Sequence, residues 1–275
     1  MFLAACVQLR CTTDVENNLA TAERLVRRAA ERGASFIATP ENTSYLGPQF
    51  HKVSQAEPLD GPTGTRLAKL ADELGVHLLI GGLAERRLGA DGEADAKRCF
   101  NTSVLYGPNG DTLATYRKMH LFDVDVPGGL TIKESDSIAH GDDVVVAETP
   151  LGRVGMTICY DMRFPELYRK LVDAGADIIA VPSAFTLTTG KDHWHVLLRA
   201  RAIETQCWVM APAQWGIHDE GGKRHSFGHS LIVDPWGIVV ADKGHGEGIC
   251  FAEIDPERTA GVRRSIPVRD HRRLE

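Results

Sequence analysis

Val154-Gly155-Met156-Thr157-Ile158-Cys159-Tyr160-Asp161-Met162-Arg163-Phe164-Pro165-Glu166 changes character in its middle. An apolar run gives way at Cys159 to a polar and aromatic turn, and Pro165 suits the first turn of a helix. A strand, a tight turn and a helix in that order present one side chain at the carboxyl edge of a sheet. Cys159 is that side chain. Outward from it the spacing predicts a helix from Pro165 to about Ala174, a strand from Asp177 to Val181, a helix from about Asp192 to Gln206 and a strand from Trp208 to Ala213. Two further strands, Ser230 to Asp234 and Ile238 to Ala241, flank the turn Asp234-Pro235-Trp236-Gly237. The N-terminal half reads in the same order. Strand Leu3 to Leu9 leads to an amphipathic helix over 15 to 32, with Asp14 as N-cap and Gly33 as stop. Strand Ser35 to Thr39, a helix from Thr63 to Leu74 and strand Val76 to Leu83 follow. Strands 99 to 106 and 112 to 117 flank the turn Gly107-Pro108-Asn109-Gly110-Asp111.

Two copies of β-α-β-α-β-β-β predict two sheets, each covered by its own helices. Short α/β connections bury parallel strands on both faces, so the expected closure is sheet against sheet with helices outside. The fold class is α/β, a four-layer α-β-β-α sandwich. The segment from Met119 to Asp142 joins the halves without periodicity, and loops of that length in a compact domain are usually functional.

Composition limits the function. With 275 residues, 43% hydrophobic and 25% charged, the chain reads as a single domain over 1–275 with a large core. Its net charge of −6 supplies no field for nucleic acid or an anionic membrane, so an anionic substrate needs a local basic pocket. No apolar run is long enough to span a bilayer. Met1 to Val7 lacks a basic region and gives way to Gln8 and Arg10, so it reads as a buried strand rather than a signal peptide. Six cysteines scattered at 6, 11, 99, 159, 207 and 250 imply reduced thiols and a cytoplasmic protein. Neither Gly81-Gly82 nor Gly221-Gly222 extends to a dinucleotide fingerprint or a P-loop, and such pairs usually mark turns or bulges. No cofactor is expected. Arg263, Arg264, Arg269, Arg272 and Arg273 read as a solvated tail or a subunit contact.

A free cysteine usually packs as a small hydrophobe, and Cys6, Cys99, Cys207 and Cys250 lie in or beside apolar runs that fit this role. Cys159 differs by its turn. Glu41 follows the strand Ser35 to Thr39, and Lys118 ends the strand before the long joining segment; an arbitrary Glu or Lys is more often solvated. Together the three make a coherent device. A thiol of ordinary pKa needs a base, a carboxylate can serve, and a buried ammonium stabilises an oxyanion by roughly 3–4 kcal/mol. Acyl transfer then needs no metal.

These residues carry a resemblance to the nitrilase superfamily of carbon-nitrogen hydrolases, over essentially the whole chain. The motifs are Pro40-Glu41, Arg117-Lys118-Met119-His120-Leu121-Phe122-Asp123 and Ile158-Cys159-Tyr160-Asp161-Met162-Arg163-Phe164-Pro165-Glu166-Leu167. The chain is similar to the Nit branch through Val124-Asp125-Val126-Pro127-Gly128, Lys133-Glu134-Ser135, Pro182-Ser183-Ala184-Phe185, the stretch Leu198 to Gln206, Gly228-His229-Ser230 and Asp234-Pro235-Trp236-Gly237. That branch holds amidases of deaminated glutathione and ω-amidases of α-ketoglutaramate; Ala213-Gln214-Trp215-Gly216 with His218 looks more like the former. The resemblance implies an α-β-β-α fold and Glu41 as general base. It implies Lys118 at the oxyanion, Cys159 as nucleophile and Glu134 as a second acid near the thiol. It further implies Arg163, Phe185 and Thr189 in the substrate pocket and a small-molecule amide substrate. It implies a homodimer in which the helices bearing Leu167, Tyr168 and Leu171 and Val196, Leu197 and Ile203 meet their copies.

Other readings remain to be separated. An N-carbamoyl amide hydrolase would use the same residues. His193-Trp194-His195, His225 and His229 invite a metal-dependent amidohydrolase, but an i, i+2 pair on a helix points to different faces. A non-catalytic scaffold would lack a member of the Glu-Lys-Cys set, and none is missing.

Overall fold

The computed structural model describes residues 1–89, 91–125 and 131–274; Val126-Pro127-Gly128 of the joining motif lies outside them. Two mixed sheets repeat one neighbour order. In the first, Phe2–Gln8, Ala34–Ala38 and His77–Glu85 run parallel and Cys99–Tyr106 and Thr112–Arg117 follow antiparallel. In the second, Gly152–Met156, Ile178–Ala180 and Trp208–Ala211 run parallel and Leu231–Val233 and Val239–Asp242 follow antiparallel. Each sheet gains a strand beside its first. Gly248–Ile254 returns from the second half to pair with Phe2–Gln8, and Val146–Thr149 pairs with Gly152–Met156.

The period of two sorts the side chains into layers. Ala4, Cys6, Phe36, Ala38 and Leu79 pack in the cluster shared by the two sheets, while the alternating Ala5, Val7, Ile37, Leu78 and Ile80 pack under the outer helices. Helices Val15–Glu31 and Pro62–Leu74 cover the first sheet with Leu19, Ala22, Leu25, Val26, Leu67 and Leu70. Asp14 caps the first of them by accepting from the Asn17 N–H at 3.1 Å. Helices Pro165–Asp173 and Leu187–Thr205 cover the second sheet with Leu167, Tyr168, Leu171, Trp194, Leu198 and Ala202. The four-layer sandwich is the one the sequence predicts.

Three readings need correction. The long helix begins at Leu187, not Asp192: Thr186 to Gly190 looks like a loop, but a Cβ on Gly190 would collide with Phe227, so this glycine serves close packing inside a helix. Leu167, Tyr168 and Leu171 are buried against their own sheet, so that face is not available to a second copy, whereas Val196 and Ile203 are exposed, as are Trp236, Ile238 and Val240, and Ile203 packs on Gly237 between two of them. The basic C-terminus is not a free tail. Arg263, on the helix Pro256–Ser265, donates to Asp177 at 3.0 Å and to the Ala176 carbonyl at 2.8 Å, and Arg272 pairs with Asp173 at 2.9 Å.

Candidate active site

Cys159 stands three residues beyond the end of strand Gly152–Met156, in a left-handed backbone conformation, φ 49°. A non-glycine residue held there is strained and persists only where its surroundings over-determine it. Here they do. The Cys159 N–H donates to the Pro182 carbonyl at 2.9 Å, tying the turn to the end of the neighbouring strand. Behind it lies Asp161, wholly buried. Its Oδ2 accepts from the Tyr116 hydroxyl at 2.7 Å and the Ile158 N–H at 2.8 Å, while Oδ1 accepts from the His120 N–H at 3.0 Å and lies 2.7 Å from His120 Nδ1. One carboxylate therefore fastens the residue before Cys159 to residues on both sides of Lys118. Arg201, buried in the long helix, donates to the Met162 carbonyl at 2.8 Å and holds the turn from the far side.

Glu41 and Lys118 arrive at the same place from the first sheet. Glu41 lies past the end of Ala34–Ala38, Lys118 directly after Thr112–Arg117 and Glu134 on the single turn Glu134–Asp136 of the joining segment. Lys118 Nζ donates to Glu41 Oε1 at 2.9 Å and to Glu134 Oε1 and Oε2 at 3.0 and 2.9 Å. Glu41 Oε1 also accepts from Asn101 Nδ2, and its Oε2 from the Ala184 N–H of the second half, each at 2.9 Å. Glu134 Oε2 accepts from the Phe122 N–H at 2.7 Å. The Gly81-Gly82 bulge in His77–Glu85 makes this approach possible. A Cβ on Gly81 would sit 2.5 Å from the Pro40 carbonyl carbon and also collide with Thr39 and Pro182, and one on Gly82 would meet Asn101 Oδ1 at 2.5 Å.

Burial and charge set the protonation states. Burial raises Glu41, but the Lys118 ammonium outweighs it and holds the carboxyl below its usual range. Burial disfavours the Lys118 ammonium, yet Glu134 and Glu41 hold its pKa well above the ordinary lysine value. For Cys159, burial and then the Glu41 charge push the thiol well up, with Lys118 only partly opposing them. Glu41 therefore rests as a carboxylate, Lys118 as an ammonium and Cys159 as a neutral thiol. A thiolate would add a negative charge beside the Glu41 carboxylate in a buried position, so burial and charge both favour the neutral thiol.

A cavity of about 640 Å³ opens above these groups. Glu41, Lys118, Glu134 and Cys159 line it with Phe185 and Thr189. Arg163 stands one layer back, its guanidinium 5.2 Å from the Phe185 ring centroid and its Nη2 3.2 Å from His193 Nδ1. The basic side chains on the wall are instead Lys52, Lys223 and Arg224. Sequence reasoning missed these because Lys223 and Arg224 lie in an irregular segment and Lys52 on a short helix, Gln49–Ser54, places where a cation reads as solvated. It also gave no part to Asn101, Asp161 or His218. His218 is buried beside the cavity with Nδ1 2.8 Å from the Cys11 carbonyl and Nε2 2.8 Å from Ser226 Oγ. A carbonyl only accepts, so Nδ1 carries the proton and Nε2 accepts from Ser226. Burial pushes this imidazole down to about 4.

The histidines do not meet at Cys159. His225 lines the cavity and His193 faces Arg163, while His195 and His229 lie together elsewhere, beside Asp242.

Known proteins share this arrangement of the chain. Residues 3–264 match the family model for carbon-nitrogen hydrolases. A deaminated glutathione amidase from Synechocystis is 44% identical over 273 residues, 98% of each chain. The human omega-amidase NIT2 is 37% identical over 269 residues, 97% of this chain and 93% of that one. The crystal structure of Saccharomyces cerevisiae Nit3, a member of branch 10 of the nitrilase superfamily, superposes with a TM-score of 0.86 at 31% identity, covering 99% of this chain and 97% of that one.

Proposed function

Because the chain belongs to the carbon-nitrogen hydrolase family of the nitrilase superfamily, and so hydrolyses carbon-nitrogen bonds other than peptide bonds, we propose that it cleaves the ω-amide of a small carboxylate-bearing molecule of the deaminated-glutathione type, releasing ammonia. Cys159 is the nucleophile in this reading, Glu41 the general base, Lys118 the oxyanion donor and Glu134 the group that fixes Lys118. The observation that carries it is Lys118 Nζ within 3.0 Å of three oxygens of Glu41 and Glu134, at the floor of the cavity that Cys159 enters.

The steps follow from the resting charges. Glu41 takes the thiol proton as sulfur bonds to the amide carbon. The carbonyl oxygen becomes an oxyanion facing Lys118 and a backbone N–H of the Cys159 turn. Glu41 returns the proton to nitrogen, the C–N bond breaks and ammonia leaves a thioester. Water then gives a proton to Glu41 and its hydroxide to the thioester carbon, the C–S bond breaks, Glu41 returns the proton to sulfur, and the carboxylic acid leaves the free thiol. The buried ammonium remains charged throughout, so it stabilises both oxyanions at little reorganisation.

Substrate choice rests on the wall. Lys223 and Arg224 face a cavity whose size falls in the range that encloses multi-functional small ligands, and a carboxylate at the far end of the substrate is their natural partner. The deaminated glutathione amidase is also more similar in sequence than the omega-amidase. Ammonia release measured on deaminated glutathione, α-ketoglutaramate, an N-carbamoyl amine and a simple nitrile decides among these chemistries. The expected order puts deaminated glutathione first and Cys159→Ala at background. A faster α-ketoglutaramate reaction would move the assignment to ω-amidase, and a near wild-type rate for Cys159→Ala would end the thioester mechanism.

The same reading makes the protein a cytoplasmic homodimer. Its six cysteines are unpaired and buried, and no helix among the described residues is long and apolar enough to cross a membrane. Exposed Val196, Ile203, Trp236, Ile238 and Val240 supply the face for a second copy. Sedimentation showing a fully active species near 30.0 kDa would refute the dimer.

A further inference from the structure

His195, His229 and Asp242 converge on the outer side of the second half, away from the residues around Cys159. His195 lies on the helix Leu187–Thr205, six residues past Thr189 and so about 9 Å further along its axis. Asp242 ends the strand Val239–Asp242, and His229 precedes Leu231–Val233. His195 Nε2 is 2.9 Å from Asp242 Oδ2, and His229 Nδ1 is 3.1 Å from both Asp242 oxygens. The three potential ligand atoms all lie within 4.8 Å of one another.

From this geometry we infer a binding site for a divalent transition-metal ion of the Zn²⁺ type, distinct from the amidase centre and independent of its mechanism. Ligands about 2.0–2.1 Å from a tetrahedral ion stand about 3.3 Å apart. The observed N···O separations need only a small expansion to reach that spacing. Two imidazoles and one carboxylate suit Zn²⁺, Co²⁺ or Ni²⁺, whereas an all-oxygen set would suit Mg²⁺ or Ca²⁺.

The surroundings hold two of the three groups, Asp242 and His229, in place. The Gly244 N–H donates to Asp242 Oδ1 at 2.7 Å, holding the carboxylate in place. Trp194 Nε1 donates to the His229 carbonyl at 2.8 Å, and the Phe227 ring stacks on the His229 ring at 4.5 Å and 20°. His229 itself sits at φ 56°, in the left-handed region. The neighbouring ammonium of Lys243 is turned away, donating to the His245 carbonyl at 2.8 Å. Side-chain exposures of 35%, 21% and 32% for His195, His229 and Asp242 leave the ion a route in and a position for water as fourth ligand. A bound ion would clip the long helix, whose first turn forms the cavity wall, to the edge of its sheet.

The chelator-treated full-length protein, titrated with Zn²⁺, tests this. A Cys159→Ser background removes the active-site thiol as a competing ligand. One ion per chain is expected, with a Tm rise of about 5 °C at a hundredfold excess over Kd. Co²⁺ in its place should show the intense visible bands of a four-coordinate ion. His195→Asn and Asp242→Asn should each weaken binding at least tenfold while leaving amidase activity in the Cys159 enzyme unchanged. No binding at micromolar Zn²⁺, or binding unaltered in both variants, would overturn the site. If the Cys159→Ala rate were normal but this Zn²⁺ titration behaved as expected, the proposed mechanism would fall and the metal site would stand.

Discussion

His218 should make the enzyme lose stability in mild acid by an amount that can be calculated. Burial lowers its pKa from an ordinary 6.5 to about 4 in the folded chain. Between those values the unfolded chain binds a proton that the native chain refuses, so stability is full above pH 6.5 and declines as pH falls toward 4. The complete difference is worth roughly 3 kcal/mol, and the part lost between pH 7 and pH 5 is about 2 kcal/mol. For a chain of this size that corresponds to about 4 °C in Tm. Protonation has a structural target: Nε2 would cease to accept from Ser226, although Nδ1 could still donate to the Cys11 carbonyl. His218 also donates its own N–H to the Arg224 carbonyl at 2.9 Å, at the base of the segment that brings Lys223 and Arg224 to the cavity. Differential scanning calorimetry of wild type and His218→Asn at pH 7 and pH 5 isolates the effect, since every other titrating group is common to both. Wild type should lose about 4 °C more than the variant across that interval. Equal losses would show that His218 is not held neutral by burial, and the reasoning would fail.

Glu41→Gln should lower the amidase rate by a factor of roughly 10²–10⁴ and Lys118→Met by roughly 10²–10³ or more, measured as ammonia release under single-turnover conditions. Lys118→Met should also destabilise the fold by about 3–5 kcal/mol in urea, because it leaves two buried carboxylates without their cation; unchanged stability would contradict the ion-pair geometry. Asp161→Asn keeps the shape but loses charge and acceptor capacity, so it should reduce kcat with little change in KM and cost about 2 kcal/mol of stability. An unperturbed kcat would show that the Cys159 and Lys118 segments are fixed by something else. Gly81→Ala forces the segment before Glu41 away from Pro182, and should reduce activity tenfold or more in soluble, folded protein; a crystal structure with the Glu41 to Ala184 hydrogen bond intact would refute that cause.

The sequence revealed the sandwich because its order of elements repeats, and each repeat carries a strong local signal. Pro165 and Asp14 start helices where the spacing says they should, and the turn at Gly107 to Asp111 joins Cys99–Tyr106 to Thr112–Arg117 at the expected ends. Gly248–Ile254 escaped because nothing local says that a strand of the second half will close the first sheet; that pairing with Phe2–Gln8 is set by tertiary packing. Glu41, Lys118 and Cys159 were legible for a related reason, as each follows the end of an easily recognised strand. The groups that hold them were not. Asp161 gains its meaning from Tyr116 and His120, and Ala184 from Glu41, pairs whose members lie far apart in the chain and whose backbone N–H groups leave no mark on residue type. The same limit explains His195 and His229. Helical periodicity separates His195 from His193 correctly, but only the return of the chain through Val239–Asp242 supplies the carboxylate at which His195 and His229 meet. Sequence pattern thus exposes the groups proposed to react sooner than those that aim them, because a reacting group needs an unusual residue type while an aiming group needs only an unusual neighbour.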